Sequence, residues 1–170
     1  NATITNEAVL QTEGTAAKIC DTRKTTPGLR MLEKYAVKCG GGFNHRRGLY
    51  DAVMLKDNHI AFAGSIENAI RTVKEHIGHT VKIEVEIETK EQLLEAIDAN
   101  VDIIMFDNRT PEEIKAWISL VPSHIATEAS GGITLNNIND YAQTGVDWIS
   151  LGFLTHSVKA LDISAIVQNN

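Results

Sequence analysis

The chain has 170 residues and a mass of 18.6 kDa, enough for one domain with a substantial buried core. Hydrophobic residues make up 43% and charged residues 22%, and no apolar run approaches the ~18 residues that crossing a bilayer requires, so membrane insertion and wholesale disorder are excluded. The net charge of -6 argues against a nucleic-acid partner, which needs Lys and Arg to displace counterions from phosphates.

That charge is unevenly spread. Segment 22–59 carries eight of the sixteen basic residues against three acidic ones, a balance of +5, and the rest of the chain sums to -11. A cationic island on an acidic protein suits a small anionic ligand better than a polyanion, which the remaining surface would repel. Arg30, Lys34 and Lys38 read as the solvated face of a helix. Two cysteines, Cys20 and Cys39, give no disulfide framework and read as small core residues, so a cytoplasmic location is expected.

The first element, 1–14, reads as a helix with Ile4, Ala8, Val9 and Leu10 on one face. Candidate strands follow at 17–22, 52–56, 81–87, 101–107, 125–130 and 148–152. Between them lie capped helices. Ser65 precedes the stripe Ile66, Ala69, Ile70, Val73 and Ile77, with Gly78 as a left-handed exit. Thr89 with Gln92 and Thr110 with Glu113 make capping boxes, Pro111 taking the first helical position of the second. Thr134 is expected to open a helix over Leu135, Ile138, Tyr141 and Ala142 that Gly145 ends. Strands alternating with helices imply parallel strands and right-handed crossovers.

Polar residues cluster at the ends of these strands, and groups from six successive strand ends converge at a barrel mouth as they do not on an open sheet. The expected architecture is therefore a TIM-like (β/α) barrel of about six parallel strands, incomplete or open, forming a single domain over 1–170.

On the third strand Glu84, Glu86 and Glu88 alternate with Val85 and Ile87. Both faces of a barrel strand are covered, so inward carboxylates need a cation, a metal or ligand hydroxyls. Glu86 is the candidate functional carboxylate, while Glu84 is expected to pair with Lys82 or an internal Arg or Lys. Arg23 and Lys24 end the first strand, and Gly40 to Gly42 lead into a second cationic run, His45, Arg46 and Arg47, facing Lys56. Guanidinium forks suit carboxylates and phosphates, so these loops form a candidate anion site. Ser130, Gly131, Gly132 and the loop at Gly152 follow the last two strands, where barrels often hold a phosphate. His76 and His79 read as surface residues. Glu86 and Asp107 are compatible with Mg²⁺ held through water and substrate oxygens.

Taken together, the runs Asp21-Thr-Arg-Lys-Thr-Thr-Pro-Gly28-Leu-Arg30, Gly41-Gly-Phe-Asn-His45-Arg46, Lys56-Asp-Asn-His59, Glu84-Val-Glu86, Asp107-Asn108, Ser130-Gly-Gly132 and Gly152 to Ser157 occur in the order and spacing of the quinolinate phosphoribosyltransferase family. The chain resembles the barrel domain of that family over nearly its whole length. Nicotinate phosphoribosyltransferases and a molybdenum-associated paralogue are similar, but the first motif and the His-Arg motif favour the quinolinate enzymes.

The resemblance implies transfer of phosphoribose from phosphoribosyl pyrophosphate (PRPP) to quinolinate, with decarboxylation to nicotinate mononucleotide for NAD synthesis. It implies that Arg23, His45, Arg46 and Lys56, with Thr22 nearby, hold the quinolinate carboxylates. It further implies that Lys24, Glu86 and Asp107 address ribose, pyrophosphate and Mg²⁺, and that Ser130, Gly131, Gly132 and Gly152 receive the 5′-phosphate. Lys24, Lys56, Glu86 and Asp107 are then the catalytic set. Family members are homodimers with a further amino-terminal domain. The chain is accordingly expected to be a barrel-domain piece that binds phosphate but turns over weakly by itself. Two other readings fit the residues: a Schiff-base aldolase using Lys56, and a phosphate-binding barrel without turnover.

Overall fold

The computed structural model describes residues 1–167. Helix α1 (Ala2–Leu10) leads into β1 (Lys18–Cys20), α2 (Arg30–Cys39), β2 (Val53–Leu55), α3 (Asp57–Ala63), α4 (Ile66–Lys74), β3 (Ile83–Ile87), α5 (Lys90–Asp98), β4 (Ile103–Asp107), α6 (Pro111–Trp117), β5 (Ala126–Ser130), α7 (Ile138–Ala142), β6 (Trp148–Ser150) and α8 (Phe153–His156). All neighbouring strands run parallel, in the order β1-β6-β5-β4-β3-β2. The sheet curls but does not close, as an open TIM-like barrel. In the gap between β1 and β2, a single parallel bridge from Cys20 to Phe43 starts what would be a further strand, with Phe43 N–H donating to Ile19 O at 2.9 Å.

The alternation on β3 sorts its side chains as expected. Ile83, Val85 and Ile87 are buried under the helices, Glu84 and Glu86 point to the barrel interior, and Glu88, one residue past the strand, is exposed. The helices close over the outer face. Ser65 Oγ accepts the Asn68 N–H at 3.1 Å, so α4 begins where its buried stripe of Ile66, Ala69 and Ile70 begins. The Thr89–Gln92 and Thr110–Glu113 boxes start α5 and α6. Apolar side chains from all six strands and from the helices packed on them form one continuous core that includes Leu55, Val85, Ile104, Phe106, Ala129 and Ile149.

Several sequence expectations are corrected. Helix α1 stops at Leu10, which is half exposed; Thr5 and Ala8 are its buried face. Gly78 is not left-handed, because His76 and Ile77 N–H groups both donate to Val73 O and α4 unwinds through them first. The helix expected to open at Thr134 starts at Ile138. Thr134 N–H donates to Asn137 Oδ1 at 2.7 Å, so 134–137 is a turn and Asn137 is the helix cap. Cys39 is exposed at the end of α2, whereas Cys20 is buried. Of the supposed solvated face, Lys38 is exposed, Arg30 is half-buried and donates to Thr25, Arg23 and Arg47, and Lys34 is buried in an ion pair with Asp21. Helices α3 and α8, each beginning within a residue or two of its strand, lie where only loops were expected. No helix among the described residues is long and apolar enough to cross a membrane.

Candidate active site

The carboxyl ends of the strands open on a cavity of about 590 Å³. Thr22, Arg23, Lys24, His45, Arg46, Lys56, Glu86, Asp107, Ser130, Gly131, Gly132 and Gly152, the twelve residues singled out in the sequence, all line it. Met54, Met105, Asn108, Ile133, Thr134, Ser150, Phe153 and His156 complete the wall.

Each side chain is brought there by its strand end. After β1, Thr22 Oγ1 accepts the Lys24 N–H at 3.1 Å, and the Lys24 carbonyl accepts the Thr155 hydroxyl at 2.7 Å, tying this loop to α8. Arg23 O accepts from the Arg30 guanidinium at 3.1 Å, while Arg23 Nε is buried with no hydrogen-bond partner. Arg23 also lines the cavity, and a guanidinium with spare donor capacity there suits an anion. Arg46 lies beside it, with Nη2 3.3 Å from Met54 Sδ. Burial first, then repulsion from Arg23, lowers the Arg46 pKa. An arginine stays charged regardless, so the crowding raises the local positive potential.

Lys56 caps α3 and reaches across to an ion pair with Glu86. Asp107, two residues along β4 from Met105, the partner of Glu86, and level with Ser130 on β5, accepts from Asn108 Nδ2 at 2.9 Å. Asn108 N–H in turn donates to Ser130 O, and Gly131 has φ +89°. A side chain at 131 would put its Cβ 2.2 Å from Asn108 Oδ1, so only glycine lets the two loops touch. Glu86 and Asp107 offer hard oxygen donors on two adjacent strands, with no third metal-donor side chain grouped with them among the described residues. That set fits Mg²⁺ held partly by substrate oxygens and not by a closed protein cage.

Glu84 does not pair with a lysine or arginine. It lies 1% exposed behind the cavity wall, with Oε2 3.2 Å from His45 Nε2, and Glu128 Oε2 is 3.4 Å from the same nitrogen. Burial works to lower the His45 pKa, but hydrogen bonds with Glu128 and Glu84 more than reverse it, to about 10. The second ring proton this would add belongs on Nδ1, where the Arg46 backbone N–H already donates at 2.8 Å. The hydrogen bond decides for a neutral ring with its proton on Nε2. Burial first, then the Glu128 charge, raises the Glu84 pKa. Glu128 Oε1 accepts the Ser150 hydroxyl, which leaves the Cys20 thiol to donate to Ser150 Oγ at 3.0 Å. Burial, with Glu128 next, raises the Cys20 pKa and keeps it a thiol.

A second cavity of about 650 Å³ lies on the far side of His45 and Arg46, toward the amino ends of the strands, and includes Phe43, Lys82 and Trp148. Sequence reasoning missed Lys34, Ser150 and His156. Nothing in the string distinguishes Lys34 from its exposed neighbours, and Ser150 and His156 show only as residues near the end of the last strand.

The family description "Quinolinate phosphoribosyl transferase, C-terminal domain" matches residues 1–165. A Bacillus subtilis protein named probable nicotinate-nucleotide pyrophosphorylase (carboxylating) is 62% identical over 163 residues, covering 96% of this chain and 56% of that protein. The Homo sapiens nicotinate-nucleotide pyrophosphorylase (carboxylating) is 40% identical over 154 residues, 89% of this chain and 52% of its own. Among solved structures, the nicotinate-nucleotide pyrophosphorylase of Francisella tularensis superposes with a TM-score of 0.91 at 45% identity, covering 96% of this chain and 58% of that one. The chain thus spans a little over half the length of the relatives it matches. With a family match along almost all of its length and a barrel to agree with it, the chain belongs to the quinolinate phosphoribosyl transferase family, in the part described as the C-terminal domain.

Proposed function

We propose that the protein transfers phosphoribose from PRPP to the ring nitrogen of quinolinate and removes the 2-carboxylate as CO₂, giving nicotinate mononucleotide and pyrophosphate. One observation carries this reading: four cations from three loops, Arg23, Lys24, Arg46 and Lys56, share one cavity with the carboxylates of Glu86 and Asp107 and the glycines 131, 132 and 152. Family membership and the names of the relatives support it.

The chemistry follows from charge. Quinolinate is a dianion, and Arg23, Arg46 and Lys56, with His45 and Thr22 alongside, are suited to its two carboxylates. Ser130, Gly131, Gly132 and Gly152 let the 5′-phosphate approach main-chain N–H groups. Positive charge developing at the anomeric carbon is stabilised by Glu86 and Asp107, and electron density left on the ring carbon by CO₂ is stabilised by Lys24 and the arginines. Glu86 and Asp107 would hold Mg²⁺, which would offset charge on the departing pyrophosphate. The working form is taken to be a homodimer in the cytoplasm; the exposed Met31, Leu32 and Tyr35 on α2, with Phe62, support the association.

The full-length protein, given quinolinate, PRPP and Mg²⁺, is expected to form nicotinate mononucleotide and pyrophosphate in equal amounts by chromatography. Arg46→Ala and Lys56→Ala should each lower kcat/KM about 10²-fold, the scale for one preorganised charge. Absence of product, or both variants at wild-type rates, would overturn the assignment. Borohydride trapping of a carbonyl compound on Lys56 would instead favour the aldolase reading. The ion pair between Lys56 and Glu86 speaks against it.

A further inference from the structure

His45 is fixed at every polar atom. Its N–H donates to Asp21 Oδ1 at 2.9 Å and its carbonyl accepts from Lys34 Nζ at 3.1 Å. Asp21 and Lys34 are themselves ion-paired, at 0% and 3% exposure, and Asn44 Nδ2 closes on the other Asp21 oxygen at 2.7 Å. The ring accepts the Arg46 N–H at Nδ1 and lies with Nε2 between Glu84 and Glu128. Four ionisable side chains, from the end of β1 and from α2, β3 and β5, therefore surround one loop residue, all at 3% exposure or less.

Burying charge is costly unless the groups are paired and order something in return. What these order is segment 44–47, which has no regular secondary structure of its own and sits in the gap of the sheet. Without them nothing in the backbone would hold the Arg46 guanidinium at the cavity wall. The cluster is also the place where three metal-donor side chains meet, but the Arg46 N–H at Nδ1 leaves the ring proton on Nε2, where a metal would need a lone pair. The arrangement is a hydrogen-bonded clamp.

We propose that Asp21, Lys34, Glu84 and Glu128 are positioning residues that fix the His45–Arg46 step at the carboxylate end of the cavity, and so set its preference for a pyridine dicarboxylate over a monocarboxylate. This rests on the function proposed above. A held guanidinium meets the second carboxylate without an ordering cost, which a mobile one would incur on binding.

Calorimetry on the full-length protein would test this with quinolinate, nicotinate and inorganic phosphate as separate titrants. Glu128→Ala and the volume-conserving Asp21→Asn should each weaken quinolinate binding about tenfold or more, the scale of a hydrogen bond to a charged group, with nicotinate and phosphate within about twofold of wild type. Glu128→Gln, which keeps an acceptor for Nε2–H, should restore most of the loss. Quinolinate binding unchanged in both Glu128→Ala and Asp21→Asn, or equal loss of quinolinate and phosphate, would overturn the proposal. Two-bond ¹H–¹⁵N spectra of the imidazoles give a readout free of ligand: the His45 proton is expected on Nε2, with the pattern altered in Glu128→Ala. A proton on Nδ1, or an unaltered pattern, would overturn the clamp. Wild-type protein that binds phosphate but not quinolinate would overturn the proposed function, and the spectra would still decide the clamp.

Discussion

Gly131 shows how little room the cavity leaves at the scale of single atoms. Its φ of +89° and the 2.2 Å approach of a would-be Cβ to Asn108 Oδ1 combine two penalties, while Gly132, also left-handed at +65°, has open space around its Cβ position. Gly132→Ala should cost about 1–2 kcal/mol in urea unfolding, the backbone strain alone. Gly131→Ala should cost more and weaken inorganic phosphate binding, because Asn108 or the 131 backbone must move out of place. Equal stability losses in the two variants, with phosphate affinity retained in both, would show that the approach of the two loops is not required.

Helix starts decide where the loops of the rim leave off. Thr110 caps α6 through Glu113 N–H at 3.3 Å, and the reciprocal Thr110 N–H to Glu113 Oε2 bond is 2.8 Å. Thr110→Ala is expected to lower stability by about 1 kcal/mol in chemical denaturation. Thr134→Ala should lower it by only a few tenths, because Asn137 is the cap of α7 and the Thr134 hydroxyl makes only a 3.4 Å contact with it. The two threonines look alike in the sequence, each opening an apolar helical stripe. Asn137 supplies the difference: its side chain takes the Thr134 N–H and the helix cap moves three residues on, which leaves 131–134 free to line the cavity.

At the scale of the whole molecule the charge distribution matters more than any one pair. Of the eight cations in segment 22–59, Arg23, Lys24, Arg46 and Lys56 line the cavity and Lys38 and Arg47 the space behind it, on a chain whose remainder sums to -11. Association with a dianion should therefore be steered: stopped-flow on-rates for quinolinate are expected to fall about tenfold or more between roughly 10 mM and 200 mM salt, while dissociation rates change little. A flat salt dependence would mean that the acidic remainder cancels the island at the mouth. The open edge between β1 and β2 belongs to this scale too. It is plugged by the 40–52 segment, with Phe43 edge-on to Trp148 at 5.3 Å between the ammonium groups of Lys18 and Lys38.

Much of this was written in the order of residues along the chain. Alternating strands and capped helices fix a parallel α/β sheet because hydrophobic period and cap chemistry are local properties, and the residues at successive strand ends had to meet at one rim because parallel strands all end on the same side. Those rules bring the twelve candidate residues to one cavity without any knowledge of distance. Tertiary structure alone decided that Lys34 faces inward to Asp21 and that Glu84 and Glu128 take His45 between them. Each depends on which face of an element meets which neighbour across 13 to 83 residues of chain, and a buried lysine and an exposed one are the same letter until that packing exists.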